Sequence, residues 1–276
     1  MPRPAAERAA YALLRLVDLL VPKLRRVAMR NLELACPELP ASERPRRVNG
    51  CFRSLARVLT ALAKFPDINH SNVHRWIRYE GYEHFENALK RGKGVIFATA
   101  HLGNWELSAF AHALMSQPMS FVVRPLDNPL LDSLATRLRQ MSGNVVIGRN
   151  GILRPILRAL HANRAVGILA DQNVALDEGV FVDFFGRKAC VDSGLARLAA
   201  RTGAAVIPGF AVWSQAEQRF ILRFYPPLEI TGDEIQDTQS VQSALERAIR
   251  QYPDQWLWIH RRWKTRPPGS PPLYDV

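Results

Sequence analysis

The sequence predicts an α/β fold in which a mixed, mostly parallel sheet is covered by helices. From residue 94 onward, short apolar runs typical of strands alternate with helical patterns, and this alternation indicates a parallel sheet with helices on its faces. With 276 residues, 47% of them hydrophobic, the chain can fill a sizeable core. Two adjacent apolar runs between residues 204 and 225 are joined by a short polar segment. This pattern predicts a hairpin, and therefore a mixed sheet.

The predicted elements cover most of the chain after residue 94. The strands span residues 94–100, 119–123, 144–147, 165–170, 204–213 and 219–225. The helices span residues 105–116, 128–142, 151–162, 192–202 and 238–251. Before them, residues 42–65 carry apolar side chains at helical spacing, and residues 79–83 indicate a short strand or turn that leads into a helix. No glycine-rich nucleotide-binding motif is present.

The first thirty residues predict one amphipathic basic helix, or two. Leucine and valine side chains cluster on one side of a helical wheel, and arginines cluster on the other. Pro22 favours two helices, because proline fits the first turn of a helix better than its interior. Arg15 and Asp18 interrupt the best apolar run, which is then shorter than the roughly 18 residues that cross a bilayer. We expect a segment lying in the membrane interface, with an ordinary surface helix as the alternative.

The net charge and the cysteines limit the class of protein. A formal charge of +12 predicts an anionic partner, which charge alone leaves open between nucleic acid, a membrane surface and an acidic protein. Cys36, Cys51 and Cys190 are widely separated, which argues against a disulfide framework and favours a reducing compartment. Histidines and carboxylates match no known metal-ligand pattern, so we expect no metal and no other cofactor.

The segment from Gly94 to Glu106 carries the main candidate for chemistry. Its apolar half fits a strand buried on both faces, and the turn that follows places His101 at the carboxyl end of that strand. Asn104 is a candidate N-cap, so Glu106 falls in the first turn of the next helix. Ligands of open α/β sheets bind at this edge. Glu106 is predicted to orient the imidazole of His101, which would take a proton from an attacking hydroxyl.

Two further predicted strands end in polar residues at the same edge. Arg124 follows one strand and Asp171 follows another. Both are candidates for substrate binding: Arg124 is predicted to bind a phosphate or carboxylate, or to pair with Asp171. Asn128 and Gln172 are candidates for hydrogen bonds to the same ligand, although Asn128 equally suits a helix cap.

Four segments resemble, in the same order, those of the lipid A biosynthesis lauroyl/myristoyl acyltransferase family, part of the lysophospholipid acyltransferase superfamily. The first is the His-x4-Glu motif, His101-Leu-Gly-Asn-Trp-Glu106. The others are residues 123–129, residues 169–172 with 184–186, and residues 252–264. The resemblance implies a glycerolipid-acyltransferase-like fold, with His101 and Glu106 as catalytic residues. The family usually carries an N-terminal transmembrane helix, which is not evident in this sequence.

The resemblance implies transfer of a fatty acyl group from acyl carrier protein or acyl-coenzyme A to a hydroxyl of a lipid acceptor. A lipid A precursor is the expected acceptor, and another glycolipid, a lysophospholipid or an aminolipid is the alternative. A non-catalytic basic protein that binds lipid or nucleic acid is a second alternative. The implied location is the cytoplasmic face of the bacterial inner membrane, with peripheral or monotopic attachment to an anionic surface and no specific nucleic acid. No covalent acyl-enzyme is expected, because Gly-x-Ser-x-Gly is absent.

Two aromatic segments have open roles. Residues 181–185 are predicted to be a loop that either walls an acyl-chain groove or joins the core. Residues 256–264 mix tryptophans with cations and are predicted to pack internally or face the membrane. We expect one structural domain, in which residues 1–70 are a helical membrane-contacting segment and residues 71–265 are the α/β acyltransferase core. Residues 266–276 form a proline-rich tail that is expected to be extended or disordered.

Overall fold

The computed structural model describes residues 1–123, 127–148 and 151–274, and its main sheet has seven strands. The strands in chain order are β1 (Ile77–Glu80), β2 (Val95–Thr99), β3 (Ser120–Val123), β4 (Val145–Gly148), β5 (Ala165–Leu169), β6 (Val180–Phe184), β7 (Arg187–Val191), β8 (Ala205–Ser214) and β9 (Arg219–Phe224). The main sheet has the order β1-β9-β8-β2-β5-β3-β4. Its neighbouring strands are parallel except for the β8–β9 hairpin, so the prediction of a mixed, mostly parallel sheet is confirmed.

Helices precede the sheet, connect its strands and follow its last strand. They are α1 (Arg3–Leu20), α2 (Pro22–Ala35), α3 (Arg44–Lys64), α4 (Tyr82–Leu89), α5 (Trp105–Met115), α6 (Pro129–Gln140), α7 (Leu153–His161), α8 (Gly194–Thr202) and α9 (Glu234–Gln251). Pro22 begins α2, as expected from its position in the sequence. No helix of the described residues is long enough and apolar enough to cross a bilayer.

Strand β2 lies in the middle of the sheet, between β5 and β8. Ile96 and Ala98 point into one hydrophobic cluster with α7, α8 and α9, whereas Val95 and Phe97 point into a second cluster with α4 and α5. The alternation follows from the two-residue period of a strand. Both faces of β2 are therefore covered, and its carboxyl end is the part that can reach a ligand.

The turn after β2 requires a glycine at position 103. Gly103 has φ +67°, and a Cβ there would lie 1.9 Å from the carbonyl oxygen of Ala211. Its N–H donates to the carbonyl of Gln255, and the next N–H, of Asn104, donates to Ala211. The side chain of Asn104 then accepts a hydrogen bond from the N–H of Leu107 and caps α5, as predicted. This turn fixes how α5 leaves the sheet beside His101.

Residues 181–185 were predicted to be a loop, but they belong to the β6–β7 hairpin. Phe185 (φ 54°) and Gly186 (φ 68°) occupy its two turn positions, and both adopt the left-handed conformation of a type I′ hairpin. Phe184 and Phe185 are buried among the rings of Trp256 and Trp263. These four rings therefore fill the core, and packing is the role that the structure shows for the tryptophans of residues 256–264.

The C-terminal tail is anchored to α2. Residues 266–274 contain no helix or strand, but the Tyr274 hydroxyl donates to the side-chain oxygen of Asn31 at 2.5 Å. Asn31 in turn donates to the carbonyls of Trp258 and His260 at 2.6 and 2.7 Å. Asn31 is fully buried, so α2, residues 258–260 and the tail form one packed unit.

Candidate active site

His101 and Asp171 meet because their strands are parallel neighbours in register. Thr99 of β2 pairs with Leu169 of β5, and His101 and Asp171 each lie two residues farther along. The Nδ1 atom of His101 lies 2.8 Å from Oδ1 of Asp171, and the backbone N–H of His101 donates to Oδ2 at 2.9 Å. The strand register thus brings both residues to the carboxyl edge of the sheet.

The Asp171 carboxylate is buried and ionised. Its side chain also accepts a hydrogen bond from Nε1 of Trp256 at 2.7 Å. Burial opposes ionisation, but the charge and hydrogen bonds of His101, together with the Trp256 indole, hold the pKa of Asp171 at about 2. Because an ionised carboxylate can only accept, Nδ1 of His101 carries the proton and Nε2 is the basic nitrogen.

The surroundings of His101 make it a stronger base than an ordinary histidine. Burial alone would lower its pKa, but the negative charges of Asp171 and, to a smaller extent, Glu106 raise the pKa above its ordinary value. The side chain retains 15% exposure, and its ring meets the edge of the Trp105 ring at 4.9 Å between centroids. The result is a partly accessible imidazole whose basic nitrogen is fixed in direction.

Glu106 does not make the contact that was predicted for it. Its carboxylate forms two hydrogen bonds with Arg139 of α6, at 2.9 Å to Nε and 2.6 Å to Nη2. The prediction that Glu106 orients His101 is therefore wrong, because Nδ1 faces β5 and Asp171 occupies that position. Glu106 lies in the first turn of α5 and acts on His101 through its charge.

Arg139 is a site residue that the sequence did not reveal. It lies 33 residues after Glu106, on another helix, and no spacing marks the pair. The two side chains are only 12% and 10% exposed. The remaining nitrogen, Nη1, is buried and has no hydrogen-bond partner among the described residues. The ion pair ties the otherwise exposed helix α6 to the catalytic edge.

The other predicted site residues have different outcomes. Gln172 is exposed, and its Nε2 lies 3.5 Å from Nε2 of His101, so it lies at the site. Asn128 caps α6, accepting from the N–H groups of the next two non-proline residues; this is the alternative role foreseen for it. Arg124 lies outside the described residues, and its predicted contacts stay a prediction. No cluster of three or more metal-ligating side chains occurs in the described parts of the chain.

Comparison with known proteins identifies the family. A family model described as bacterial lipid A biosynthesis acyltransferase matches residues 1–265. The chain belongs to this family. The resemblance inferred from four segments is thereby confirmed, and the chain is an acyltransferase.

The sequences of similar proteins align with most of this acyltransferase. It is 34% identical over 253 residues to the lipid A biosynthesis palmitoleoyltransferase of Escherichia coli (strain K12), across 90% of this chain and 81% of that protein. The lipid A biosynthesis lauroyltransferase of the same organism is 30% identical over 280 residues, across 99% of this chain and 90% of that protein. A phosphatidylinositol mannoside acyltransferase of Mycolicibacterium smegmatis is 27% identical over 239 residues, across 85% of this chain and 78% of that protein.

Replacing Asp171 with asparagine is expected to reduce kcat/KM and to shift the acid limb of its pH profile to lower pH. His101 must be unprotonated to act as a base, so activity rises as the pH passes its pKa. The Asp171 charge raises that pKa, and its loss lowers it. The amide also permits the wrong imidazole tautomer, so we expect a rate loss of at least about 100-fold. Initial rates across the histidine titration range measure both effects, and an acid limb that moves upward contradicts the assignment.

Replacing Glu106 with glutamine is expected to destabilise the fold, because it leaves the Arg139 guanidinium without its counter-charge. Breaking a buried ion pair in this way costs about 3 kcal/mol. The double variant Glu106→Gln/Arg139→Met should lose less than the sum of the single variants. Urea unfolding measures the stability of the two single variants and of the double variant. The control is Glu33→Gln, which breaks an exposed ion pair with Arg30 and should change the free energy of unfolding by less than about 1 kcal/mol. Strict additivity would rule out the coupling.

Proposed function

We propose that this acyltransferase moves a fatty acyl group from a thioester donor to a hydroxyl of a lipid A precursor. The observation that carries the chemistry is the His101–Asp171 pair, which leaves Nε2 of a partly exposed histidine as the basic atom. The acceptor is supported by the relatives, several of which are named for lipid A biosynthesis.

In the proposed reaction, Nε2 of His101 removes the proton from the acceptor hydroxyl while its oxygen attacks the thioester carbonyl carbon. The imidazolium is stabilised by the Asp171 carboxylate at Nδ1 and by the nearby charge of Glu106. The tetrahedral intermediate then expels the thiolate, which takes the proton from Nε2, so an ester forms and a thioester breaks. A protein nucleophile is not needed, and His101 returns to its neutral state.

We propose acyl carrier protein or acyl-coenzyme A as the donor. Both are anionic, and the net charge of +12 attracts either one. The acceptor has one alternative that a specific observation favours. The similarity to a phosphatidylinositol mannoside acyltransferase supports another glycolipid as the second candidate, with the same chemistry at His101.

The connection between α1 and α2 is the surface that we propose contacts the membrane, at the cytoplasmic face of the inner membrane. We call residues 16–26 the α1–α2 corner. Lys23 and Arg26 are exposed within it. Its exposed aliphatic side chains are Leu16, Leu19, Leu20 and Val21. Aliphatic side chains beside basic ones favour an anionic lipid interface, where each basic residue contributes about 1 kcal/mol.

The test of the chemistry is lipid profiling of the source cell with and without the gene. We expect loss of one acyl chain from one lipid class, restored by the wild-type gene and by His161→Ala, which alters an exposed histidine on α7. His101→Ala should not restore it, because the base is absent. Mass spectrometry of total lipid extracts provides the measurement. Full restoration by a well-expressed His101→Ala protein would exclude the mechanism.

The test of the membrane surface is cosedimentation with vesicles of phosphatidylglycerol and phosphatidylethanolamine. Leu19 and Leu20 are 75% and 69% exposed, and burying a leucine is worth about 1.5–3 kcal/mol. The variant Leu19→Glu/Leu20→Glu should therefore bind at least about tenfold more weakly than wild type. Ile235→Glu changes an exposed aliphatic residue at the start of α9 and should bind normally. Equal losses in both variants would argue against a dedicated surface.

A further inference from the structure

A second histidine, His260, lies beside the His101–Asp171 pair. Residues 256–260 run past both partners, since Trp256 donates its indole N–H to Asp171 and the N–H of Leu257 donates to the carbonyl of His101 at 3.0 Å. The N–H of Asn173 then donates to Nε2 of His260 at 3.1 Å. His260 is therefore connected to the site by the residues that precede it and by its own ring.

The ring and the backbone of His260 are both fixed. Its carbonyl accepts hydrogen bonds from Asn31 at 2.7 Å and from the N–H of Arg262 at 2.8 Å. Asn173, which holds the ring, is itself held by reciprocal hydrogen bonds with Thr265, both 2.9 Å. Preorganisation of this kind is what a hydrogen-bond donor to a transient charge requires.

The proton of the His260 ring is on Nδ1. Nε2 accepts from a backbone N–H, so in the neutral ring the proton must be on the other nitrogen. Burial, aided by the positive charges of Arg262 and His101 and opposed by Asp171, lowers the pKa of His260 to about 4. The imidazole is therefore neutral at physiological pH, which suits it to polarise a carbonyl without giving up its proton.

Three consecutive residues contact the rings of the two histidines. Asp171 binds Nδ1 of His101, Gln172 reaches Nε2 of the same ring, and Asn173 binds Nε2 of His260. In the proposed reaction the acceptor hydroxyl lies at Nε2 of His101, and the thioester carbonyl lies next to that hydroxyl. The hydrogen bonds of the described residues engage Nε2 and the carbonyl of His260 and leave Nδ1 available.

We propose that Nδ1–H of His260 donates a hydrogen bond to the oxyanion that forms on the thioester carbonyl, which makes His260 a further catalytic residue. The proposal rests on the proposed acyl transfer. Charge develops on that oxygen only as the acceptor attacks, so the hydrogen bond strengthens in the transition state and acts on kcat more than on KM. The competing account is that His260 serves only to hold Asn173 through Nε2.

Two amide substitutions separate these accounts. The amide of His260→Asn lies near the position of Nδ1 and can still donate, whereas the amide of His260→Gln reaches the position of Nε2 and can still hold Asn173. We expect kcat of the asparagine variant to remain within about tenfold of wild type. The glutamine variant should lose about 100- to 1000-fold in kcat with little change in KM, the usual effect of removing one oxyanion donor.

The values of kcat and KM are measured with a fatty acyl thioester as donor. The acceptor is lipid extracted from cells that lack the gene. Thermal unfolding checks that each variant folds. If His260→Gln does not fold, His260→Ala, which has no amide, replaces it and should lose about as much kcat as expected for the glutamine variant, while His260→Asn retains it. Loss of kcat in the asparagine variant, or full activity of the glutamine variant, overturns the role of His260. A wild-type protein that transfers no acyl group would instead overturn the proposed function.

Discussion

The Asp171 carboxylate joins the segments on which the site depends. It accepts hydrogen bonds from the backbone and ring of His101 and from the indole of Trp256. A buried charge is costly unless such partners are present. Its ionised state therefore requires the register of β2 with β5 and the position of residues 256–260 to be correct together. The same contacts that stabilise this charge also orient the imidazole, so folding and preorganisation have a common cause.

Two carboxylates near His101 have different tasks because their environments differ. Asp171 hydrogen-bonds Nδ1 and fixes the tautomer. Glu106 pairs with Arg139, which fastens α6 to α5, and its negative charge helps to raise the pKa of His101. α6 has no fully buried residue, so this ion pair adds to the contact that the partly buried Leu138 makes with the core.

The sequence predicted elements more reliably than contacts. The spacing of apolar side chains and the positions of turn residues identified most strands and helices after residue 94, because those signals are local. The β6–β7 hairpin was missed because its phenylalanines resembled an aromatic loop. His101 was correctly expected at the carboxyl end of a strand, but its hydrogen-bond partner was misassigned, since closeness in sequence favoured Glu106 whereas strand register brings in Asp171, 70 residues away. Arg139 and the role of His260 depend on packing between distant segments, which one sequence does not encode in any spacing.

The most direct test of the central claim is a titration of ¹⁵N-labelled histidine by NMR, with His101 assigned from the signal lost in His101→Gln. The pairing with Asp171 predicts a neutral ring that is protonated on Nδ1, and a pKa above the ordinary value of about 6.5. A neutral ring protonated on Nε2, or a pKa below that value, would contradict the assignment of Nε2 as the base.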